Sequence, residues 1–128
     1  MDKKKIIILV IFVLFIIINL FLLTGQSRTD VYLKDFEVSS DGKLMTLKVG
    51  VTSSAGYIRK MKRTSGGMNY YFTFYSTFGI NSRFGSKDTF VIELDNNVDE
   101  IYFYTGNNGY KKVLEKDESG EWQVPVID

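Results

Sequence analysis

Residues 68–76 read MNYYFTFYS, and how these nine residues are read decides the fold. With a period of two, Tyr70, Phe72 and Phe74 fall on one face and Tyr71, Thr73 and Tyr75 on the other. That alternation is the signature of a half-buried strand. Aromatic side chains suit a pleated surface with one buried side. The phenylalanine face reads as core, and the tyrosine face as the outer surface of a sheet.

The same period recurs outward from this stretch. KLMTLKVGV places Met45, Leu47, Val49 and Val51 together, opposite Thr46, Lys48 and Gly50. DTFVIEL groups Phe90, Ile92 and Leu94, and EIYFYT groups Ile101 with Phe103 and Tyr102 with Tyr104. VYLKDFEV, GYIRKMKR and YKKVLEKD complete the strand set. The Asp-Gly of SSDGK and the Asn-Gly of NNG are type I′ hairpin signals, and TSGG and NSRFGSKD read as connections. About seven strands at this spacing predict an immunoglobulin-like β-sandwich. The cysteine and tryptophan hallmarks of true immunoglobulin domains are absent, and a small open β-barrel is the alternative.

The N-terminus is of another kind. Residues 6–23, IIILVIFVLFIIINLFLL, are apolar except for Asn19. As a helix they would rise about 27 Å at ~1.5 Å per residue, close to the hydrocarbon thickness of a bilayer. Lys3, Lys4 and Lys5 precede the run, which predicts a cytoplasmic N-terminus. The expected organisation is a cytoplasmic tail (1–5), a transmembrane anchor (6–23), a linker (24–30) and an extracytoplasmic β-domain (31–128). The apolar run is longer than a signal peptide's, and TGQS is a poor cleavage site, so the anchor is expected to be retained. Secretion after cleavage is the alternative.

Composition narrows the chemistry. There is no histidine and no cysteine, which removes the commonest general base, the commonest metal ligand and every thiolate. Asp95, Asn97 and Asp99 begin like a calcium loop, but Glu100 stands where glycine is required. A turn between strands explains them. Ser53, Ser54 and Lys60 match no catalytic motif, and a domain of about 100 residues leaves little room for a cleft with paired carboxylates. The expectation is a non-enzymatic protein with no metal and no cofactor.

Charge is unevenly spread. No acid occurs between Asp41 and Asp88, where eight bases lie, and ten acids with three bases follow from Asp88 onward. Pairing of the two halves across strands is the first expectation. A basic face near an anionic membrane or wall polymer is the second. The run RKMKR, Arg59 to Arg63, reads as an edge strand protected by its charge. Export argues against nucleic acid as a partner.

At SSAGYIRKM, FTFYSTFG and EIYFYTGNNGYKKVLEKDESGEW the chain resembles short uncharacterised exported proteins of Gram-positive bacteria that begin with one hydrophobic segment. The resemblance implies export and carries no functional residue. The functional expectation is a membrane-anchored binding or interaction module with a protein or cell-wall partner. Its candidate surface is Tyr71, Tyr75, Tyr102 and Tyr104, with Arg59 and Lys60 as charged neighbours and the loops at Gly56, Gly67 and Asn108 as the fallback. The alternative is an accessory or immunity-type protein that packs on a membrane partner through Asn19 and the aromatic residues of the anchor.

Overall fold

The computed structural model describes residues 2–23, 25–52, 57–76 and 86–126, with the backbone alone for residues 20–23 and 65. Ser53, Ser54, Gly56 and most of the 81–88 connection lie outside the described residues. Among the described residues one helix, α1 (Lys3–Leu23), precedes nine strands: β1 (Ser27–Arg28), β2 (Val31–Val38), β3 (Leu44–Val51), β4 (Ile58–Gly66), β5 (Asn69–Ser76), β6 (Thr89–Glu93), β7 (Glu100–Gly106), β8 (Gly109–Lys116) and β9 (Trp122–Gln123). The long strands coincide with the alternating runs. The two-residue strands β1 and β9 are too short to leave a period in the sequence, and β1 falls inside the stretch expected to be linker.

The strands form two sheets, as a sandwich requires. One has six strands in the order β1-β5-β7-β8-β9 with β4 also on β5, and the other has three in the order β2-β3-β6. Neighbours are antiparallel except β5 and β7, which run parallel with Tyr71 opposite Tyr102 and Phe72 opposite Phe103. The chain leaves the larger sheet after β5, passes through β6 in the smaller sheet and returns as β7, and that crossover makes the pair parallel.

Every residue expected to face inward does so. Met45, Leu47, Val49, Phe72, Phe74, Phe90, Ile92, Leu94, Ile101 and Phe103 are buried, joined by Val31, Ile58, Tyr70, Val98 and Leu114. The Phe74 ring meets Phe90 of the opposite sheet at 5.7 Å and Phe103 beside it at 4.8 Å, both edge-on, so β5 is the seam of the core. Tyr70 stays on the core face because its hydroxyl accepts from the Asp95 backbone N–H at 3.3 Å. Val98 is buried too, and it pins the connection that resembled a calcium loop against the core.

Three expectations are corrected. In SSDGK only Gly42 has a positive φ, of 73°. The Gly42 N–H donates to the Ser39 carbonyl, so this turn is not type I′, which needs two left-handed residues. In GNNG the left-handed pair is Asn107 (φ 49°) and Asn108 (φ 59°). That turn therefore sits one residue before the Asn-Gly, between the paired Gly106 and Gly109. The cross-strand neutralisation of the two halves is also not what forms. Ion pairs among the described residues join Arg28 to Asp30 and Lys112 to Glu100 and Glu115. None involves Arg59, Lys60, Lys62, Arg63 or Lys87.

Helix α1 carries apolar side chains exposed on all sides, Ile8 at 66% and Phe15 at 64% among them. No described side chain of α1 belongs to the core cluster. Among the described residues no helix is long and apolar enough to cross a membrane.

Candidate functional site

On the outer face of the larger sheet, the parallel β5–β7 register puts Tyr71 beside Tyr102. Their rings stack at 5.0 Å with 21° between planes. Strand β8 adds Tyr110, whose ring meets Tyr71 edge-on at 5.0 Å and Tyr104 at 5.5 Å. The four rings form one continuous cluster across three strands. Tyr71, Tyr102 and Tyr104 are half-buried, and Tyr110 is 40% exposed.

Local features hold this cluster. Gly66 lies beside Tyr71 on β4, where a Cβ would come within 2.8 Å of the ring. The absence of a side chain at Gly66 lets the Tyr71 ring settle against the backbone. The Asn69 amide is satisfied when its nitrogen donates to the Met68 carbonyl (3.0 Å) and the Glu100 carboxylate (3.2 Å) and its oxygen accepts from the Tyr71 hydroxyl (3.3 Å). Glu100 also accepts from Lys112 Nζ at 2.9 Å, and Lys112 lies 3.0 Å from Glu115. Those two carboxylates hold the Lys112 ammonium above its usual range. Burial, with the Glu100 carboxylate next, pushes the Tyr102 hydroxyl up. The cluster is thus bordered at its β7–β8 side by a fixed polar chain.

Of the six residues expected from sequence, the structure brings together Tyr71, Tyr102 and Tyr104. Tyr75 shares their face but lies four residues further along β5, about 13 Å at ~3.3 Å per residue. Its ring is met by Lys60 Nζ at 5.3 Å. Arg59 is the extra residue of a β-bulge, since Ile58 faces Ser76 and Lys60 faces Tyr75. Tyr75, Arg59 and Lys60 therefore make a second, separate group at the far end of the strand pair.

Tyr110 was missed by sequence reasoning. Counting back from the Gly106–Gly109 closure puts Tyr110 opposite Thr105. A bulge at Thr105 shifts Tyr104 onto Tyr110 instead, and the glycine at 106 is the only local hint of it.

The arrangement limits what the face can bind. Stacking on a flat sugar ring needs an exposed aromatic face. Here the faces of Tyr71 and Tyr102 cover each other, and the Tyr71 hydroxyl is held by the Asn69 amide. Such a surface suits the mixed polar and apolar contacts of a protein partner. Among the described residues no group of three or more acidic side chains is placed to hold a metal. Pockets of about 400 Å³ and 240 Å³ open elsewhere, the first lined by Tyr32, Lys34 and Lys87 and the second by Leu33, Lys111 and Pro125. No family model, no curated protein and no solved structure matches the chain.

Proposed function

We propose that the protein is a membrane-anchored, extracytoplasmic β-sandwich that works as a non-catalytic interaction module, with the Tyr71–Tyr102–Tyr104–Tyr110 cluster as its contact surface for a partner protein. The observation that carries this reading is the cluster itself. Four tyrosine rings packed on each other on the outer face of a sheet are pre-ordered before any partner arrives, which lowers the entropy cost of binding. Tyrosine is also enriched where binding energy concentrates.

The anchor is α1. With residues 20–23 included, the apolar part of the helix rises about 27 Å at ~1.5 Å per residue, enough for a bilayer's hydrocarbon with slight thinning. An all-round apolar helix whose described side chains have no place in the core is otherwise without a solvent. Lys3, Lys4 and Lys5 support an N-terminus inside and a β-domain outside. The resemblance to short exported Gram-positive proteins agrees with this orientation. The immunoglobulin-like description of the sandwich rests on its two facing sheets joined through hairpins and a crossover.

The accessory or immunity-type reading, in which the anchor itself packs on a partner helix, draws less support. Asn19 is the polar residue of the apolar run, and its side-chain nitrogen donates to the Phe15 carbonyl of its own helix at 2.7 Å. That donor is satisfied without a neighbouring helix.

The test is the double variant Tyr71→Ser, Tyr102→Ser. Its side chains are not part of the core cluster, so the domain is expected to stay folded by circular dichroism. Capture of the partner identified by crosslinking in cells is expected to be lost. A folded double variant that still captures the partner would remove the tyrosine face from the account.

A further inference from the structure

The two ends of the sandwich differ in charge, and the chain itself says which end lies nearer to α1. The Ser76 N–H donates to the Gln26 carbonyl at 2.8 Å, Ile58 is the register partner of Ser76, and the Lys87 N–H donates to the Ile58 carbonyl at 2.7 Å. Gln26, Ser76, Ile58 and Lys87 therefore stand in one row across neighbouring chain segments, about 14 Å end to end at ~4.8 Å per interval. Gln26 is three residues beyond Leu23, the last residue of α1. Three residues reach at most about 11 Å, close to one Debye length of ~8–10 Å.

Basic side chains gather at this end. Lys34 is the extra residue of a bulge in β2, because Leu33 faces Val49 while Asp35 faces Lys48. Arg59 is the extra residue of the bulge in β4. Bulges re-aim side chains at sheet edges, and here one bulge in each sheet carries a cation at the same end of the molecule. Lys34 and Lys87 line the pocket of about 400 Å³, with Ser86 and the tyrosines Tyr32 and Tyr57. Lys60 stands next to Arg59, its ammonium over the Tyr75 ring. Among the described residues none of the four cations is in an ion pair. Three carboxylates are near: Asp88, on the pocket rim, Asp35, the register partner of Lys48, and Asp30 just before β2, which is in an ion pair with Arg28.

The opposite end is the reverse. The turns at 39–43, 94–99 and 117–121 carry Asp41, Asp95, Asp99, Asp117, Glu118 and Glu121 against Lys43 alone. The domain is thus an electric dipole with its positive end next to the helix.

We infer that the end bearing Lys34, Arg59, Lys60 and Lys87 is seated on the anionic phosphate headgroups of the bilayer that holds α1. This inference rests on the anchor reading above. The lipid phosphates are the occupant because the covalent tether leaves this end no more than a few residues from the helix terminus, and because cations near an anionic leaflet are drawn to it. The seat would orient the sandwich with its acidic turns away from the membrane and its tyrosine face to the side.

The chain has no cysteine, so a single one can be introduced for labelling. The full chain carrying Ser86→Cys, labelled with a fluorophore, is reconstituted into phosphatidylcholine vesicles and into phosphatidylcholine–phosphatidylglycerol vesicles. Both contain a lipid with a nitroxide quencher at its headgroup. Quenching is expected to be stronger with phosphatidylglycerol, and to fall to the phosphatidylcholine level in high salt. The variant Lys34→Gln, Arg59→Gln, Lys60→Gln, Lys87→Gln should show the same fall. A label at Ser119→Cys, on the acidic end, should be quenched equally little in both vesicles. Circular dichroism checks the fold of the four-site variant, and the salt titration of the unmodified protein stands without it. Equal quenching of the Ser86 label in both lipids would overturn the lipid seat and leave the anchor intact. Loss of quenching with inorganic phosphate at matched ionic strength would overturn it in favour of a free-anion pocket. A chain that does not float with either vesicle would overturn the anchor and the seat together.

Discussion

Tyr71 is the residue on which the outer face turns. Gly66 gives its ring room, Asn69 takes its hydroxyl, Tyr102 covers one face and Tyr110 meets it edge-on. Each contact is small, and an aromatic pair adds only about 0.5–1.5 kcal/mol beyond the area buried. The other face of the sheet is where single residues decide stability. Leu47 is fully buried among both sheets, whereas Thr46 next to it points away from the core. Leu47→Ala is expected to cost about 2–5 kcal/mol, from lost transfer energy and the cavity left behind. Thr46→Ala is expected to stay within about 0.5 kcal/mol, as surface changes do. Denaturant melts of the two variants measure the difference, and equal losses would mean that the register of β3 is wrong.

At the level of elements, period-two patterning made most of the sandwich legible. Strands β3, β5, β6 and β7 alternate well enough to show their buried face, and Phe72, Phe74, Ile101 and Phe103 were placed correctly because a central strand has little freedom of register. Bulges were not legible. Lys34, Arg59 and Thr105 look like ordinary strand residues, and only pairing with a neighbour shows that each is an extra one. Tyr110 and the clustering of cations at one end depend on these bulges, so both were out of reach. Turn type was half legible, since glycine and asparagine marked the turns without saying which residue adopts positive φ. The Asn107–Asn108 pair gives a direct check. Asn108 has φ 59°, a conformation that costs other L-residues about 1–2 kcal/mol. Asn108→Ile is expected to lower stability by at least that much, while Asn108→Gly stays within about 0.5 kcal/mol. Thermal melts of both variants make the comparison, and an isoleucine variant as stable as the glycine one would argue against a left-handed turn.

At the scale of the whole molecule the features have a common axis. An apolar helix leads within three residues into the positive end of a sandwich, the acidic turns lie at the other end, and the tyrosine cluster sits on the flank between them. A domain held this way would present its flank to neighbours in the plane of the membrane, where a second membrane protein would be met. The smaller sheet offers a contrasting flank. Val91 of β6 is 63% exposed there, on the outer face. The most direct measurement places a photo-activated crosslinking amino acid at Tyr110 in one strain and at Val91 in another, with irradiation in living cells. The account predicts a discrete adduct from position 110 and none from position 91. An adduct from 91 with none from 110 would contradict the claim that the tyrosine face is the contact surface.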